Sequence, residues 1–351
     1  MIRINANQLD RGYLKYKDEY DKAVIETLES GWYIMGKRGE EFEKKFAKFI
    51  GSEYCVGLNS GLDALILAFR ALGIGKGDEV IVPANTYIAS IIGITENGAT
   101  PIFVEPDEFY NLDASRIEEK ISDNTKAVLV VHLYGQAANM ADIKRITDKY
   151  NLYLIEDCAQ SHGAKYQEKT TGIWGDIGCF SFYPTKNMGA FGDSGAIVTK
   201  NEDIYEKVKM LRNYGSKFKY QNEIIGVNSR LDEIQAALLL VKLSHYEDLR
   251  EERARLAEKY LKGINNSKLE LPRVRENAES VWHLFVITTN EREKFQKYMD
   301  KNNVNTQIHY PIPPHLSNAY KYLGYKEGSF SITENYANTV LSLPLYDGMT
   351  D

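Results

Sequence analysis

Residues 179–199 read CFSFYPTKNMGAFGDSGAIVT, two apolar runs that are joined by a turn carrying one lysine, Lys186. The chain has 43 lysine and arginine residues, and most of them are expected at the surface. Lys186 differs because aromatic and apolar residues surround it. It is also followed by Gly189, Gly192 and Gly195, at which the backbone can approach a ligand closely. The segment therefore predicts a strand-like run, a turn with a functional lysine, and a second apolar run.

The chemistry of an amine indicates what Lys186 could do. A lysine side chain with a pKa of about 10.4 is almost fully protonated at neutral pH. A lysine that forms an imine with an aldehyde instead stores its amine for exchange. We interpret Lys186 as the residue that holds the aldehyde cofactor pyridoxal phosphate (PLP) covalently. A solvated surface charge is the alternative for any single lysine, so this interpretation depends on the rest of the chain.

The composition argues against several classes of protein. The chain has 351 residues, 43% of them apolar, which is enough for one large core and a smaller second lobe. Its formal net charge of -6 predicts no broad basic surface and argues against nucleic-acid binding. The three cysteines include no C-x-x-C pair, so we expect neither a disulfide framework nor a metal site. The sequence shows no apolar signal core or membrane-spanning run, and we expect a cytoplasmic protein.

Short apolar runs alternate with helical patterns through the first half of the chain, and helices are predicted where Ile25 and Leu28 recur at helical spacing and near residues 115–121. The runs lie at residues 53–58, 79–83, 100–106, 126–135 and 152–157. Because these runs are continuously apolar, they predict a largely parallel sheet that is covered on both faces. Ligands bind at the carboxyl ends of the strands in such sheets. Asp157 stands at such an end, so we expect a ligand-binding carboxylate there, with a helix N-cap as the alternative.

A turn of small residues, NSG at 59–61, connects a predicted strand to a predicted helix. The first turn of a helix has unpaired N–H groups and the positive end of the helix dipole, and both attract an anion. The phosphate of a cofactor would suit this position. Many strand-to-helix turns bind nothing, so the turn alone does not decide the function.

The second half of the chain changes in character. Residues 226–264 predict one or two long helices that connect two lobes, and a strand-like run, VWHLFVITT, follows at 281–289. A helix at 291–301 and a loop rich in proline and aromatic residues, HYPIPPHLSNAY at 309–320, come next. We expect residues 1–245 to form an N-terminal arm and a large domain, and residues 246–351 a small domain. The final LSLPLYDGMT is typical of the approach to a last helix, which we expect the sequence to lack.

Five motifs carry a family resemblance over nearly the whole chain. They are SGLDAL (60–65), GDEVIVPANTYIAS (77–90), EDCAQSHGA (156–164), SFYPTKNMGAFGDSGA (181–196) and GVNSRLDEIQAA (226–237). With these motifs the chain resembles the sugar-nucleotide aminotransferases of the DegT/DnrJ/StrS group. The resemblance implies PLP-dependent transferase fold type I, an α/β three-layer sandwich with a mixed, mostly parallel central sheet. A smaller C-terminal α+β domain completes that fold.

The resemblance implies a role for each residue at the cofactor. Lys186 would hold PLP as a Schiff base and then shuttle the proton between the substrate carbon and the cofactor. Asp157 would pair with the pyridine N–H, and that charged partner would lower the pKa of Asp157. Gln160 would bind the ring hydroxyl, and Tyr87 would stack on the ring.

The cofactor phosphate would be held by residues from several segments. The resemblance assigns it to Ser60 and the backbone of Gly61 and Leu62, to the hydroxyl of Ser181, and to Asn228 of a second subunit. A homodimer with shared active sites follows from the last assignment.

The resemblance also implies contacts at the substrate end. The candidates for binding the diphosphate and sugar are Tyr183, Lys219, His309 and Tyr310. Their alternatives are a surface charge for Lys219 and simple packing for His309. We expect His162 to support the site rather than to react, and His132, His245 and His283 to be structural.

The resemblance predicts a transaminase that moves an amino group from L-glutamate to a dTDP-linked keto-6-deoxysugar, with pyridoxamine phosphate (PMP) formed during turnover. The product would enter deoxyaminosugar biosynthesis for a surface glycan or a glycosylated product. HYPIPPHLSNAY and Leu62 in GLDAL favour amination at C3, and C4 is the alternative. A PLP sugar dehydratase is less favoured because that branch has histidine where this chain has Lys186. A non-catalytic regulator is disfavoured because we find no DNA-binding helix pair or basic surface.

Overall fold

A seven-stranded sheet forms the centre of the computed structural model, which describes residues 3–351. Among these residues the strands are β1 (Tyr54–Leu58), β2 (Glu79–Pro83), β3 (Thr100–Val104), β4 (Thr125–Val131), β5 (Tyr153–Asp157), β6 (Lys165–Tyr166), β7 (Lys169–Thr170), β8 (Ile177–Ser181), β9 (Gly195–Thr199), β10 (Ser216–Phe218), β11 (Gln221–Asn222), β12 (Ala278–Glu279), β13 (Phe285–Thr288) and β14 (Val340–Leu343).

The central sheet has the order β1-β9-β8-β5-β4-β2-β3. Neighbouring strands from β8 through β5, β4 and β2 to β3 are parallel, whereas β9 is antiparallel to both β1 and β8. The inner strands β4 and β2 are almost completely buried, as continuous apolar runs in a doubly covered sheet should be. The predicted mixed, mostly parallel sheet is therefore confirmed.

Helices cover both faces of this sheet. They are α1 (Leu9–Lys15), α2 (Lys17–Ser30), α3 (Lys37–Ile50), α4 (Gly61–Leu72), α5 (Ile88–Thr95), α6 (Met140–Tyr150), α7 (Glu202–Leu211), α8 (Glu233–Ser244), α9 (Tyr246–Gly263), α10 (Arg292–Lys301) and α11 (Ser331–Thr339). Apolar residues of α4, α5 and α7 form the core on one face. Those of α3, α6 and α8 pack on the other face, so the three-layer α/β sandwich is confirmed.

Several local predictions need correction. The segment expected as a helix near residues 115–121 forms two short 3₁₀ turns, Ala114–Arg116 and Glu118–Lys120. The one or two long helices predicted at 226–264 are two, α8 and α9, which meet at His245, but α8 begins only at Glu233. Apolar spacing correctly indicated α2, but its Ile25 and Leu28 are about half exposed.

The C-terminal part contains the two-stranded pair β13–β14 and helices α10 and α11. Leu256, Phe285 and Leu341 belong to a separate apolar cluster of this part. Ile4 of the N-terminal arm pairs with Val304, so the arm contacts the C-terminal part and not the sheet alone. The domain division at residue 245 stays a prediction. No helix among residues 3–351 is long and apolar enough to cross a membrane.

Candidate active site

A cavity of about 690 Å³ lies where the carboxyl ends of the sheet strands meet. The segments that follow β1, β2, β4, β5 and β8 all contribute to its wall, as expected for a ligand site in an open α/β sheet. Most of the residues predicted for the site line this cavity: Ser60, Gly61, Leu62, Tyr87, Asp157, Gln160, Ser181, Tyr183, Lys186, His309 and Tyr310. The fold therefore brings together segments that lie up to 250 residues apart in the chain.

Lys186 is presented by a tight turn between β8 and β9. The Lys186 N–H donates to the carbonyl of Tyr183 at 2.8 Å. Gly189 allows the chain to fold back after Lys186. A Cβ at this position would lie 2.2 Å from the Pro184 carbonyl oxygen, so a residue with a side chain would clash there. Burial lowers the pKa of Lys186 to about 8, and the carboxylate of Asp157 opposes this shift. A larger fraction of this amine is consequently neutral and nucleophilic near neutral pH than for an ordinary lysine.

Asp157 ends β5 and is buried in the cavity wall. Its carboxylate accepts a hydrogen bond from the Ser90 hydroxyl at 2.8 Å and from the Ala159 N–H at 3.1 Å. The Ser90 hydroxyl oxygen lies 2.8 Å from that of Thr86, which can donate to it. These contacts fix the carboxylate at the cavity wall.

The pKa of Asp157 differs from the expectation. Burial raises it, and the hydrogen bond from Ser90 is the largest opposing effect. We expected a lowered pKa because a cationic ring nitrogen would lie beside the carboxylate when PLP is bound. Such a cation would lower the pKa of Asp157, so the buried carboxylate is suited to a positively charged partner.

A small concave surface lies between the start of α4 and the end of β8. A Cβ on Gly61 would come within 2.5 Å of the Ser181 Cβ, and one on Gly195 within 2.3 Å of the Ser60 carbonyl carbon. These glycines allow the free N–H groups of the first turn of α4 to lie beside the Ser181 side chain. Ser60 is the N-cap and accepts from the Asp63 N–H at 3.0 Å. The arrangement fits a phosphate group.

Gln160 is held in one orientation. Its Oε1 accepts from the Tyr134 N–H at 2.6 Å, so its amide nitrogen must point the other way and donates to the Tyr310 hydroxyl at 3.1 Å. The second hydrogen of that amide remains for a ligand oxygen, as a ring hydroxyl would supply. The Tyr87 ring lies 5.0 Å from the Tyr310 ring and is half exposed, which leaves a face for stacking.

His309 and His162 are both held neutral. Burial lowers the pKa of His309 to about 4, and its Nδ1 lies 2.8 Å from the Ser342 hydroxyl. Burial also lowers the pKa of His162 to about 3. His162 Nε2 lies 3.0 Å from the Ser181 carbonyl oxygen, to which it can donate. It therefore supports the strand end that carries Ser181 and is outside the cavity wall.

His132, Glu156 and Cys158 form a buried cluster that superficially resembles a metal site. The Ala138 N–H donates to His132 Nδ1, so His132 Nε2 carries the ring hydrogen and donates to Glu156 at 3.0 Å. Glu156 also accepts from three backbone N–H groups, those of Gly172, Trp174 and Gly175. These contacts occupy both ring nitrogens of His132 and both carboxylate oxygens of Glu156, which are the atoms that would bind a metal, and they fix the loop behind Asp157.

Two of the predicted site residues lie outside the cavity of the single chain. Lys219 is exposed in the turn between β10 and β11, where its amine lies over the Tyr220 ring. Asn228 is also exposed and forms an isolated bridge with Asn213. Their roles stay predictions, and only that of Asn228 was predicted for a second subunit.

The hydroxyl chain from Thr86 through Ser90 to Asp157 was not predicted. A signal was available, because Thr86 and Ser90 lie four positions apart in the mostly apolar TYIASIIGIT, a spacing that brings side chains to the same face of a helix. We also expected His283 to be structural, whereas this side chain lines the cavity.

The mixed sheet, with a lysine, a buried carboxylate and a phosphate-sized surface at its strand ends, defines a PLP-dependent aminotransferase of fold type I. Residues 15–351 match the model of the DegT/DnrJ/EryC1/StrS aminotransferase family, and the chain belongs to that family.

Individual proteins are similar over almost the full chain. A dTDP-3-amino-3,6-dideoxy-alpha-D-galactopyranose transaminase of Aneurinibacillus thermoaerophilus is 53% identical, over 95% of this chain and 91% of its own. A dTDP-3-amino-3,4,6-trideoxy-alpha-D-glucose transaminase of Streptomyces venezuelae is 44% identical, over 98% and 91%. The crystal structure of S. venezuelae DesV in complex with a ketimine intermediate matches with a TM-score of 0.98 and 43% identity. That match covers 100% of this chain and 95% of DesV.

Proposed function

We propose that this protein transfers an amino group from L-glutamate to the C3 keto carbon of a dTDP-linked 3-keto-6-deoxyhexose. The observation that carries the proposal is the cavity in which Lys186, Asp157 and the Gly61–Ser181 surface meet. The choice of C3 is supported by the names of the two relatives, both of which are transaminases of dTDP-3-amino sugars. When bound, PLP supplies an electron sink and carries the amino group between the two substrates.

The residues at the cofactor end have separate tasks in this proposal. Lys186 holds PLP covalently, and its amine, with a pKa of about 8, moves a proton at the substrate carbon once it is released. Asp157 holds a positive ring nitrogen by its buried carboxylate. The first turn of α4 and the Ser181 hydroxyl bind the phosphate, and the free amide hydrogen of Gln160 binds the ring hydroxyl.

The sugar end of the cavity is formed by Tyr183, His309 and Tyr310. Tyr183 is about half exposed at the cavity mouth, whereas Tyr310 is more deeply placed. The Tyr310 hydroxyl accepts from Gln160, so its own hydrogen is free to donate to a sugar oxygen. We propose that these three residues orient the sugar with its keto carbon towards Lys186.

We further propose that the active protein is a homodimer whose subunits share their sites. Ile25, Leu28, Trp32, Tyr33 and Met35 form an exposed apolar surface. Ile34 of the same loop bridges Asp232, four residues beyond Asn228. An apolar surface of this kind favours association of two copies, and it would bring Asn228 and Lys219 of the partner subunit to the cavity. Cys55, Cys158 and Cys179 are free thiols, in keeping with work in the cytoplasm.

The experiment that tests the function separates C3 from C4. The purified protein with PLP and L-glutamate is incubated with dTDP-3-keto-6-deoxyglucose and, separately, with the 4-keto isomer, and NMR locates the new C–N bond. We expect an amino group at C3 from the first substrate and slow or no turnover of the second. Amination at C4 would show that the proposed position is wrong, and loss of water from the sugar without amination would indicate a dehydratase.

A further inference from the structure

Two buried hydroxyl groups approach the carboxylate of Asp157, those of Thr86 and Ser90, which are 3% and 1% exposed. The Ser90 hydroxyl donates to Asp157 Oδ2 at 2.8 Å. Because a serine hydroxyl has a single hydrogen, the Ser90 oxygen can only accept from the Thr86 hydroxyl, which lies 2.8 Å away. Both O–H groups are therefore directed towards the carboxylate.

The two oxygens of the Asp157 carboxylate have different partners. Oδ2 accepts from Ser90, and Oδ1 accepts from the Ala159 N–H at 3.1 Å. Each carboxylate oxygen can accept more than one hydrogen bond, so Asp157 can still accept from an N–H group of a ligand. Rotation of the carboxylate would break both existing contacts, and its orientation is therefore fixed before a ligand binds.

Ser90 reaches Asp157 from outside the cavity. Thr86 and Asp157 line the cavity wall, whereas Ser90 is not among the lining residues. Ser90 lies in the first turn of α5, where its N–H donates to the Tyr87 carbonyl at 3.1 Å. The start of the helix thus holds the backbone of Ser90, and its hydroxyl can act on a ligand in the cavity only through Asp157.

Neutral donors and charged groups both affect the ionisation of Asp157. Burial raises the pKa of Asp157, and the hydrogen bond from Ser90 is the largest opposing effect, ahead of those of Ala159, Lys186 and His132. Three further titratable groups interact with the charge of Asp157, and burial raises the pKa of each: Cys158, Cys179 and Tyr310. The Ser90 hydroxyl stabilises the carboxylate without adding a positive charge that would repel a cationic ring.

We propose that Thr86 and Ser90 keep Asp157 ionised and oriented for a protonated ring nitrogen, so that the cavity selects a protonated pyridine ring over an uncharged ring. Without these donors, the ring proton would move to the carboxylate oxygen in part of the molecules, leaving a neutral acid beside a neutral ring. Ser90 is therefore a positioning residue for the electron sink that PLP supplies. The inference rests on the proposed role of Asp157 as the partner of the ring nitrogen.

The test compares two ligands that differ only at the ring nitrogen. The PLP-free protein is titrated at equilibrium with PLP and with 1-deaza-PLP, in which a C–H group replaces that nitrogen. Both ligands carry the same aldehyde and the same phosphate, so a change in the ratio of their dissociation constants between variants isolates the contact with Asp157. We expect the wild type to prefer PLP, and Asp157→Asn to lose most of that preference.

Ser90→Ala should reduce the preference for PLP about tenfold, as expected for loss of one hydrogen bond to a charged group. Thr86→Val removes the second donor at nearly constant shape and should reduce the preference about threefold, because Thr86 acts through Ser90. Thr86→Ser keeps the hydroxyl and should stay close to the wild type. Thermal unfolding of each variant checks that it folds.

The matched control is Ser161→Ala. Ser161 is also fully buried, but its hydroxyl lies 3.1 Å from that of Thr171 and it is not among the residues that line the cavity. This substitution should leave the preference for PLP unchanged, even if it weakens the binding of both ligands. An equal loss of preference in Ser161→Ala and Ser90→Ala would overturn the inference, because any cavity beside the site would then have the same effect.

A second measurement reports where the proton lies. PLP labelled with ¹⁵N at the ring nitrogen is bound to the wild type and to Ser90→Ala, and ¹⁵N NMR distinguishes a protonated from a neutral pyridine nitrogen. We expect the resonance of the wild type in the protonated range, and that of Ser90→Ala displaced towards the neutral range. A purely structural role of Ser90 would not displace it.

The remaining outcomes separate this inference from the proposed function. An unchanged preference in Ser90→Ala would overturn the inference alone if Asp157→Asn loses the preference. An unchanged preference in Asp157→Asn would overturn the proposed role of Asp157 and the inference with it. If Ser90→Ala did not fold, equal preferences in Thr86→Val and Thr86→Ser would overturn the inference. Neither measurement includes the sugar, so amination at C4 would leave the inference standing while the proposed C3 position fails.

Discussion

The cofactor end of the cavity and the edge that carries Lys219 and Asn228 are built in different ways. Asp157 and Gln160 are buried, and their polar atoms have partners within the same chain. The edge is exposed, and its Tyr220 and Ile225 are 86% and 91% exposed. The polar groups of the first region are paired within one chain, whereas the second region presents apolar side chains to water.

This difference follows from how each region obtains its contacts. Strand ends of one sheet meet at the same edge, so a single chain can assemble the groups that bind a cofactor. A long apolar surface that stays in water is unfavourable unless something covers it. We therefore expect the cofactor end to be preorganised within each subunit, and the exposed edge to take its functional position only when two copies associate.

The largest expected effect comes from Lys186→Ala. Loss of the amine removes both the covalent attachment of PLP and the proton transfer, which typically contributes about 10²- to 10⁴-fold. We expect no borohydride-fixed PLP on the variant and at least about a thousandfold lower turnover with glutamate and the keto sugar. The visible absorbance of the bound cofactor and the mass of the reduced protein are the measurements.

The matched control for Lys186→Ala is Lys262→Ala. Lys262 is exposed at the end of α9 and pairs with Glu258 one turn away, so its removal should change neither absorbance nor turnover. If Lys186→Ala kept the covalent adduct, another lysine would be the anchor and the contrast between the two regions would lose its basis.

A hybrid dimer tests the exposed edge. Asn228→Asp places a negative charge where a phosphate is expected, and we predict about a hundredfold lower turnover from a charged group left against it. In a mixed dimer of Lys186→Ala and Asn228→Asp subunits, shared sites would leave one site with neither substitution. Random mixing at equal amounts should then restore about a quarter of the wild-type turnover, while each variant alone stays nearly inactive.

The alternative arrangement gives a different result. If Asn228 served its own subunit, every site in the mixture would carry one of the two substitutions, and turnover at the same total protein would equal the average of the two variants measured alone. Light scattering on the same samples reports whether dimers form, so a protein that is fully active as a monomer would contradict the shared site directly.

The sheet and the ends of its strands could be predicted because they depend on local pattern. The apolar run before Asp157 is continuous, which is typical of a strand buried on both faces, and the carboxylate after it therefore lies at the ligand edge. Lys186 was identifiable for a related reason. Its glycine-rich turn interrupts two apolar runs, and Gly189 is required for the close approach to Pro184.

Features that depend on distant contacts could not be predicted in this way. The raised pKa of Asp157 reflects burial of the whole carboxylate, which its sequence neighbours do not reveal. The orientation of the His283 ring depends on Asn187, 96 positions earlier in the chain. Ile25 follows a helical spacing but is exposed, because the pattern reports a face of a helix and not what covers that face.

The smallest of these effects tests whether the cofactor end is as closely fitted as the geometry indicates. A Cβ on Gly61 would lie 2.5 Å from the Ser181 Cβ and 2.9 Å from its Cα, so Gly61→Ala must push the start of α4 away from β8. We expect a roughly tenfold weaker affinity for PLP, since overpacking of this kind costs about 1–3 kcal/mol. Equilibrium titration with PLP measures the change.

Gly263→Ala is the control for Gly61→Ala, because a Cβ at Gly263 meets no atom within 4 Å. With open space around the new methyl group, PLP affinity should be unchanged. Gly263 lies at the end of α9, where alanine is favoured over glycine by up to about 1 kcal/mol, so the stability of the variant should be equal or slightly higher. If Gly61→Ala lowered the melting temperature but left PLP affinity intact, Gly61 would serve packing alone, and the phosphate would have to be bound by groups other than the start of α4. In that case part of the phosphate site would belong to the exposed edge that carries Lys219 and Asn228, and the two regions would be less distinct.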